Sequence, residues 1–160
     1  MQTTNSTRRI VLKGTAVAAA FGVSGIAQLL TMSNAHAAWP KKAFASESIS
    51  DVMQALFNED VKAIDSNKVE LSAPDIAENG AVVPIGVSSS LPDIKRIIIL
   101  VDGNPSPMTA AFNLGPGAIA DVSTRIKMGQ TSDVIALVES AGKVYAARKN
   151  VKVTIGGCGG

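Results

Sequence analysis

Two kinds of hydrophobic pattern divide the chain between residues 49 and 155. In the first stretch, apolar side chains recur at the spacing of one helix face, at Ile49, Val52, Met53, Leu56 and Phe57. Ser48 stands before this run as a candidate N-cap, and Asp51 follows it three residues later, as in a capping box. The pattern predicts one short amphipathic helix over 49–58. Its apolar face must pack on the body that follows or on a partner subunit.

From residue 68 onward the chain alternates short β-rich runs with turn residues. The predicted strands span 68–72, 81–88, 95–102, 108–114, 118–128, 133–139 and 143–155, with a turn region over 74–80. Residues 97–101 are all apolar, which predicts a strand buried on both faces, whereas 118–128 alternates between apolar and polar residues. Pro84 cannot donate to a ladder, so its strand is expected at an edge or bulged there. The predicted fold is mainly β, an immunoglobulin-like antiparallel β-sandwich of about seven strands with one short N-terminal helix.

The first 37 residues have the three parts of an export signal. Arg8 and Arg9 precede an apolar start, an uncharged Ala- and Gly-rich run covers 14–32, and Ala35 and Ala37 fit a peptidase site. The arginine pair favours the twin-arginine type, which implies a periplasmic protein. An ordinary Sec signal and a permanent membrane anchor are the alternatives, although several polar and glycine residues dilute the apolar run. We therefore expect a signal at 1–37, a folded domain at 38–155 and no stable membrane anchor.

The composition of the part that follows the leader excludes several kinds of catalytic and metal-binding site. The chain of 160 residues has one cysteine and one histidine, and that histidine, His36, lies in the leader. The exported part would therefore lack imidazole for general-base catalysis and for metal ligation, and a lone cysteine builds no intramolecular disulfide. The formal charge of +2 for the whole chain is too small to favour nucleic-acid binding. No metal or cofactor site is expected.

The last five residues contain the chain's only thiol. Cys158 lies between two pairs of glycines, Gly156 and Gly157 before it and Gly159 and Gly160 after it. Because glycines have no side chain to pack, we expect residues 156–160 to form a flexible arm. An unpaired cysteine is hazardous in an oxidising compartment, so its presence favours a function over an incidental loose end. With no base or cation beside it, the thiol is expected to be an attachment point rather than a catalytic nucleophile.

A terminal Gly-Gly also occurs in ubiquitin-like sulfur carriers, whose carboxylate is activated by ATP. An exported protein has no ATP available, so the thiol of Cys158 is the simpler attachment point for sulfur. Prenylation does not fit, because only two residues, both glycines, follow the cysteine.

The leader, the β-rich domain and the ending Gly-Gly-Cys-Gly-Gly together resemble the SoxY family, the sulfur carriers of periplasmic thiosulfate oxidation. The five-residue ending is the specific part of this resemblance. It implies a heterodimer with a SoxZ-like immunoglobulin-like subunit and covalent attachment of sulfur intermediates at Cys158. It also implies a haem enzyme that loads thiosulfate, a hydrolase that releases sulfate and, in some organisms, a sulfane dehydrogenase. The carrier itself is then not an enzyme and holds no cofactor.

Two other functions remain open at this point. An exported immunoglobulin-like accessory subunit would use Cys158 for an intermolecular disulfide to a fixed partner. An enzyme would have to rely on carboxylates such as Glu59, Asp60 or Asp102, but adjacent acids at a helix end are more often a solvated cap. The mass of the modified cysteine separates the carrier from the disulfide-linked subunit.

Overall fold

Two helices begin the part of the chain that the computed structural model describes, residues 40–57 and 61–154. They are α1 (Lys41–Phe44) and α2 (Ile49–Phe57). The second follows the predicted helix and begins at the predicted cap, because Ser48 Oγ accepts the backbone N–H of Asp51 at 3.1 Å and donates to the Asp51 carboxylate at 2.7 Å. The first was not predicted, since a single helical turn is too short to show a period.

Nine strands follow within the described residues. They are β1 (Ile64–Asp65), β2 (Val69–Ser72), β3 (Ile76–Ala77), β4 (Val83–Ser89), β5 (Ile94–Val101), β6 (Met108–Asn113), β7 (Asp121–Ile126), β8 (Ser132–Ser140) and β9 (Lys143–Val153). Seven of them correspond to the predicted strands. The two-residue strands β1 and β3 are additional, and β3 lies inside the segment predicted as a turn.

The strands form two sheets that pack face to face. The larger sheet has the order β1-β9-β8-β5-β6, with β3 also paired to β9, and the smaller one has the order β2-β4-β7. Apolar residues from both sheets share one core, including Val69, Val83 and Ile126 from the small sheet with Ile97 and Val134 from the large one. The predicted immunoglobulin-like sandwich is confirmed. The expectation of purely antiparallel pairing is wrong in one respect, because β1 and β3 pair with β9 in parallel.

The large sheet is buried on both faces. In β5, Ile97, Ile99 and Val101 point into the core shared with the small sheet, while Ile98 and Leu100 point into a second core on the opposite face. All five side chains are fully inaccessible to solvent. This confirms the prediction for residues 97–101 and shows why the run has no polar position.

The two helices cover that opposite face. Ala43 of α1 and Val52 of α2 are completely buried in the second core. At the end of α2, the Arg96 guanidinium lies over the Phe57 ring, 5.2 Å from its centroid, and donates to Glu139 Oε2 at 2.7 Å. The apolar face of the predicted helix therefore packs on this chain's own sheet, and the fold has a helical layer outside the sandwich.

Pro84 does not mark an edge strand, because β4 lies between β2 and β7. The Ser89 N–H donates to the Ala120 carbonyl, and alternation from that pair directs the Pro84 nitrogen away from β7, towards the β2 side. The β2 ladder has already ended there, at the pair of Ser72 with Gly86. The missing N–H thus costs no ladder bond, and the register with β7 continues without a bulge.

The structure shortens the predicted strand 118–128 to β7, Asp121–Ile126. Residues 118–120 precede β7 as a loop, in which Ile119 is 84% exposed. The hairpin of β8 and β9 is confirmed, with Ala141 and Gly142 at its turn and φ angles of 47° and 75°. Positive φ at both positions is typical of the type I′ turns that suit a twisted hairpin.

Among the described residues, no helix is long and apolar enough to span a membrane.

Candidate functional site

The predicted attachment site lies just beyond the described residues. Cys158 and the arm glycines Gly156, Gly157, Gly159 and Gly160 lie outside them, as do Arg8 and Arg9 of the predicted signal. What the structure describes is the place where the chain leaves the sandwich, at the end of β9. Thr154, the last described residue, is four positions before Cys158.

One side of this exit is held by β3. The pairs of Ile76 with Lys152 and of Ala77 with Val153 place β3 parallel to the end of β9. The Lys152 N–H donates to the Asp75 carbonyl at 3.0 Å, and the Thr154 N–H donates to the Ala77 carbonyl at 3.1 Å. The backbone is therefore hydrogen-bonded up to its last described residue.

The other side is held by a side chain. The pairing of β8 with β9 ends where Ser132 lies opposite Val151, so β8 offers no further backbone partner. Thr131 replaces it, because its Oγ1 accepts the Val153 N–H at 2.9 Å. We call these contacts of Ala77 and Thr131 with residues 153 and 154 the exit clamp. Sequence reasoning missed it, since neither a two-residue strand nor a lone loop threonine has a periodic pattern.

The loop that carries Thr131 is itself braced. Asn104 Nδ2 donates to the Lys127 carbonyl at 2.8 Å, and Asn104 Oδ1 accepts the Gly129 N–H at 3.0 Å. Gln130 Nε2 donates to the Gly103 carbonyl at 3.0 Å. Gly103 itself is required by close approach, because a Cβ there would lie 2.7 Å from Ser132 Cβ. The exit clamp therefore rests on two loops that are tied together.

Ionic contacts hold the neighbouring segment. The Lys149 ammonium donates to the Ala73 carbonyl at 2.5 Å and lies 3.0 Å from Asp75 Oδ1. These contacts hold the segment that leads into β3 against β9 and so support the clamp.

Of the acids considered for catalysis, Asp102 is exposed after β5, and Glu59 and Asp60 lie outside the described residues. Residues 40–57 and 61–154 contain no cluster of His, Cys, Asp or Glu suited to a metal ion.

Comparison with known proteins gives a consistent result. The family described as sulfur oxidation protein SoxY matches residues 53–158, a range that ends at the lone cysteine. Among solved structures, the chain is similar to the sulfur carrier protein SoxY from Chlorobium limicola f thiosulfatophilum. The two share 37% sequence identity and a TM-score of 0.61 over 72% of this chain and 99% of that one.

A chain from a structure described as the structural basis of T cell specificity and activation by the bacterial superantigen toxic shock syndrome toxin-1 matches with 9% identity. Its TM-score is 0.36, over 53% of this chain and 98% of that one. A search of the curated proteins gives no significant match.

The resemblance recognised in the sequence is therefore confirmed by two independent routes. One is the family match over residues 53–158, and the other is a shared fold with more than a third of the residues identical. The chain belongs to the SoxY family of sulfur oxidation proteins.

Proposed function

We propose that the protein is a covalent carrier of sulfur intermediates in thiosulfate oxidation and that Cys158 is the attachment point. The observation that carries the proposal is the extent of the family match, which runs as far as Cys158, the only cysteine of the 160 residues. Membership of the family assigns the chain to sulfur oxidation. The thiol is the group that can form a reversible bond to sulfur.

The proposed loading step joins the Cys158 thiol to the sulfane sulfur of thiosulfate. A sulfur–sulfur bond forms, one proton leaves the thiol, and two electrons pass to a haem enzyme that acts as the oxidant. Water then cleaves the bond to the sulfonate group, releasing sulfate and a proton and leaving a persulfide on Cys158. Neither step needs a base or metal from the carrier, because partner enzymes supply the catalytic groups.

The exit clamp supports this role. Its hydrogen bonds hold Val153 and Thr154 against the sandwich, so any freedom of the chain begins after a fixed point. Beyond that point the sequence offers one isoleucine, four glycines and the cysteine. Such a segment passes into a narrow active site without steric obstruction, since glycine has no side chain.

The partners follow from the same proposal. A SoxZ-like subunit would form a heterodimer with this chain. The thiosulfate-loading haem enzyme, the sulfate-releasing hydrolase and, where present, a sulfane dehydrogenase would act on the loaded arm. The leader with Arg8 and Arg9 would take the folded protein to the periplasm through the twin-arginine route.

The test of the carrier role is the mass of the C-terminal peptide and the activity of one variant. In cells grown on thiosulfate, that peptide should carry added sulfur or thiosulfonate on Cys158. Cys158→Ser should keep the fold, measured by circular dichroism, and abolish thiosulfate-dependent sulfate formation in the reconstituted system. Retained turnover would contradict the carrier role, and a peptide found only in a mixed disulfide would favour the accessory-subunit alternative.

A further inference from the structure

The loop between β3 and β4 contains the sequence Asn79-Gly80, and no other asparagine of the chain precedes a glycine. In this pair a backbone nitrogen can attack the neighbouring carboxamide with least obstruction, because glycine has no side chain to hinder the approach. Asn79 is exposed at the surface. The loop follows directly after Ala77, which belongs to the exit clamp. A chemical change here would therefore act beside the clamp.

A hydrogen bond prepares the Asn79 carboxamide for such an attack. Its Oδ1 accepts the Ala81 N–H at 2.9 Å, which closes an Asx turn and holds the carboxamide against the backbone that follows it. When a nitrogen adds to the carboxamide carbon, negative charge develops on this same oxygen. A backbone N–H at that distance stabilises an oxyanion, as it does in enzyme active sites. The Ala81 N–H thus lowers the barrier to the attack.

Neither the attacking nitrogen nor the leaving group is restrained by a further contact. Within residues 40–57 and 61–154, the Gly80 N–H and the Asn79 Nδ2 group take part in no hydrogen bond. Asn104 and Asn150 differ, because their Nδ2 groups donate to a carbonyl at 2.8 Å and to a carboxylate at 2.7 Å. Asn104 also precedes a proline, whose nitrogen has no proton to lose. Asn79 is therefore the asparagine most open to this reaction.

We propose that Asn79 is a modification site, at which the protein deamidates without an enzyme and converts the loop beside the exit clamp to an isoaspartyl form. The Gly80 nitrogen gives up its proton and bonds to Asn79 Cγ. The bond from Cγ to Nδ2 breaks, ammonia leaves with that proton, and a succinimide remains. Water then opens the ring, giving isoaspartate when it attacks the backbone carbonyl and aspartate when it attacks Cγ. No electrons are transferred, and water is the only other reactant.

The isoaspartyl form changes the chain between two hydrogen-bond acceptors. The Ala77 carbonyl accepts the Thr154 N–H at 3.1 Å, and the Gly80 carbonyl accepts the Met128 N–H at 2.7 Å. Isoaspartate at position 79 adds one carbon to the main chain between them, together with one negative charge. The longer segment moves at least one carbonyl away from its donor. The modification therefore loosens the exit clamp or the loop next to it.

Incubation of the purified chain in mildly alkaline buffer, followed by peptide mapping with mass spectrometry, tests the site. Deamidation should accumulate at Asn79 ahead of every other asparagine, and isoaspartyl methyltransferase should label the product. A synthetic peptide of residues 75–83 gives the rate without the fold. Because the Asx turn is formed in the folded chain, that chain should deamidate at least as fast as the peptide. A slower rate in the folded chain, or a faster one at another asparagine, would overturn the proposal.

Two serine variants assign the reaction to this residue. Asn79→Ser keeps an oxygen that can accept the Ala81 N–H but has no carboxamide, so the main acidic species formed on incubation should be absent from isoelectric focusing. The control Asn67→Ser removes an exposed asparagine elsewhere and should form that species at the parent rate. Its persistence in Asn79→Ser would overturn the proposal.

Hydrogen exchange tests the effect on the exit clamp. In the isoaspartyl fraction, separated by ion exchange, the amide of Met128 or of Thr154 should exchange at least about tenfold faster than in the unmodified fraction. Asn79→Asp adds the charge without lengthening the main chain and should leave both amides near their parent rates. Unchanged exchange in the isoaspartyl fraction, or equal acceleration in Asn79→Asp, would overturn this consequence.

Discussion

Individual residues near the end of β9 have structural roles that depend on steric fit and on hydrogen bonding. Gly103 has its role because Ser132 and Gln130 leave no room for a Cβ. Asn104 matters because one amide both donates to the Lys127 carbonyl and accepts from the Gly129 N–H. Together they set the position of the loop that presents Thr131 to the end of β9.

Gly103→Ala should destabilise the fold by about 1–3 kcal/mol, because the new methyl group must displace the start of β8 or the loop before it. The measurement is urea unfolding. Gly115→Ala is the matched control, since a Cβ there meets no atom within 4 Å. Its free energy of unfolding should stay within about 0.5 kcal/mol of the parent value. Adding Ser132→Gly to Gly103→Ala should recover part of the loss, and no recovery would contradict the steric explanation.

At the scale of elements, α2 is held to the sheet by more than its apolar face. Its last residue, Phe57, packs under the guanidinium of Arg96, and this arginine is paired with Glu139 on the neighbouring strand. Both charged side chains are only 19% exposed, so the pair is shielded from solvent more than most surface ion pairs are. The contact joins α2, β5 and β8 at one point.

Glu139→Gln should therefore lower the free energy of unfolding by about 1–2 kcal/mol, since Arg96 loses its charged acceptor in a half-buried place. Amides at the end of α2 should exchange faster as well. Asp65→Asn is the control, because Asp65 and Arg148 are 3.8 Å apart and their side chains are 82% and 51% exposed. That change should leave stability within the error of the measurement. A similar loss in both variants would show that burial of the Arg96 pair is unimportant.

Elements with a regular hydrophobic pattern, an all-apolar run or a capping motif could be predicted from the sequence. The run of residues 97–101 indicated a doubly buried strand, and Ser48 with Asp51 indicated the start of α2. Two-residue strands such as β3 were not predictable, because their existence depends on the partner strand β9. The position of β4 was missed for a related reason, since only the end of the β2 ladder explains how Pro84 fits a central strand. The family could be recognised from the ending of the chain, but the exit clamp could not.

At the scale of the whole molecule, the proposed carrier role gives separate tasks to the sandwich and to the tail. In that role, the body provides the surface that other proteins recognise and a fixed end at Thr154. The tail provides the thiol. Specificity then depends on contacts with a folded protein instead of contacts with a small inorganic anion.

This division predicts separate effects of bulk and of reactivity in the tail. Replacing Gly157 and Gly159 with leucine should slow enzymatic loading of Cys158, because the added side chains obstruct entry into the enzyme. The rate of alkylation by a small reagent such as iodoacetamide should change little. The two rates are followed by mass spectrometry of the same samples. A parallel fall of both rates would indicate that the thiol had become buried. It would contradict the explanation that the added side chains obstruct entry into the enzyme.

The exit clamp also has a mechanical consequence. In the proposed carrier role, an enzyme that draws Cys158 into its active site would pull along β9. Residues Lys143–Val151 of this strand pair antiparallel with β8 on one side, and β1 and β3 pair with it in parallel on the other. The load then shears many hydrogen bonds at once instead of opening them one at a time like a zipper. Under such a load, the sandwich would keep its strands in register while a partner enzyme acts on the proposed carrier.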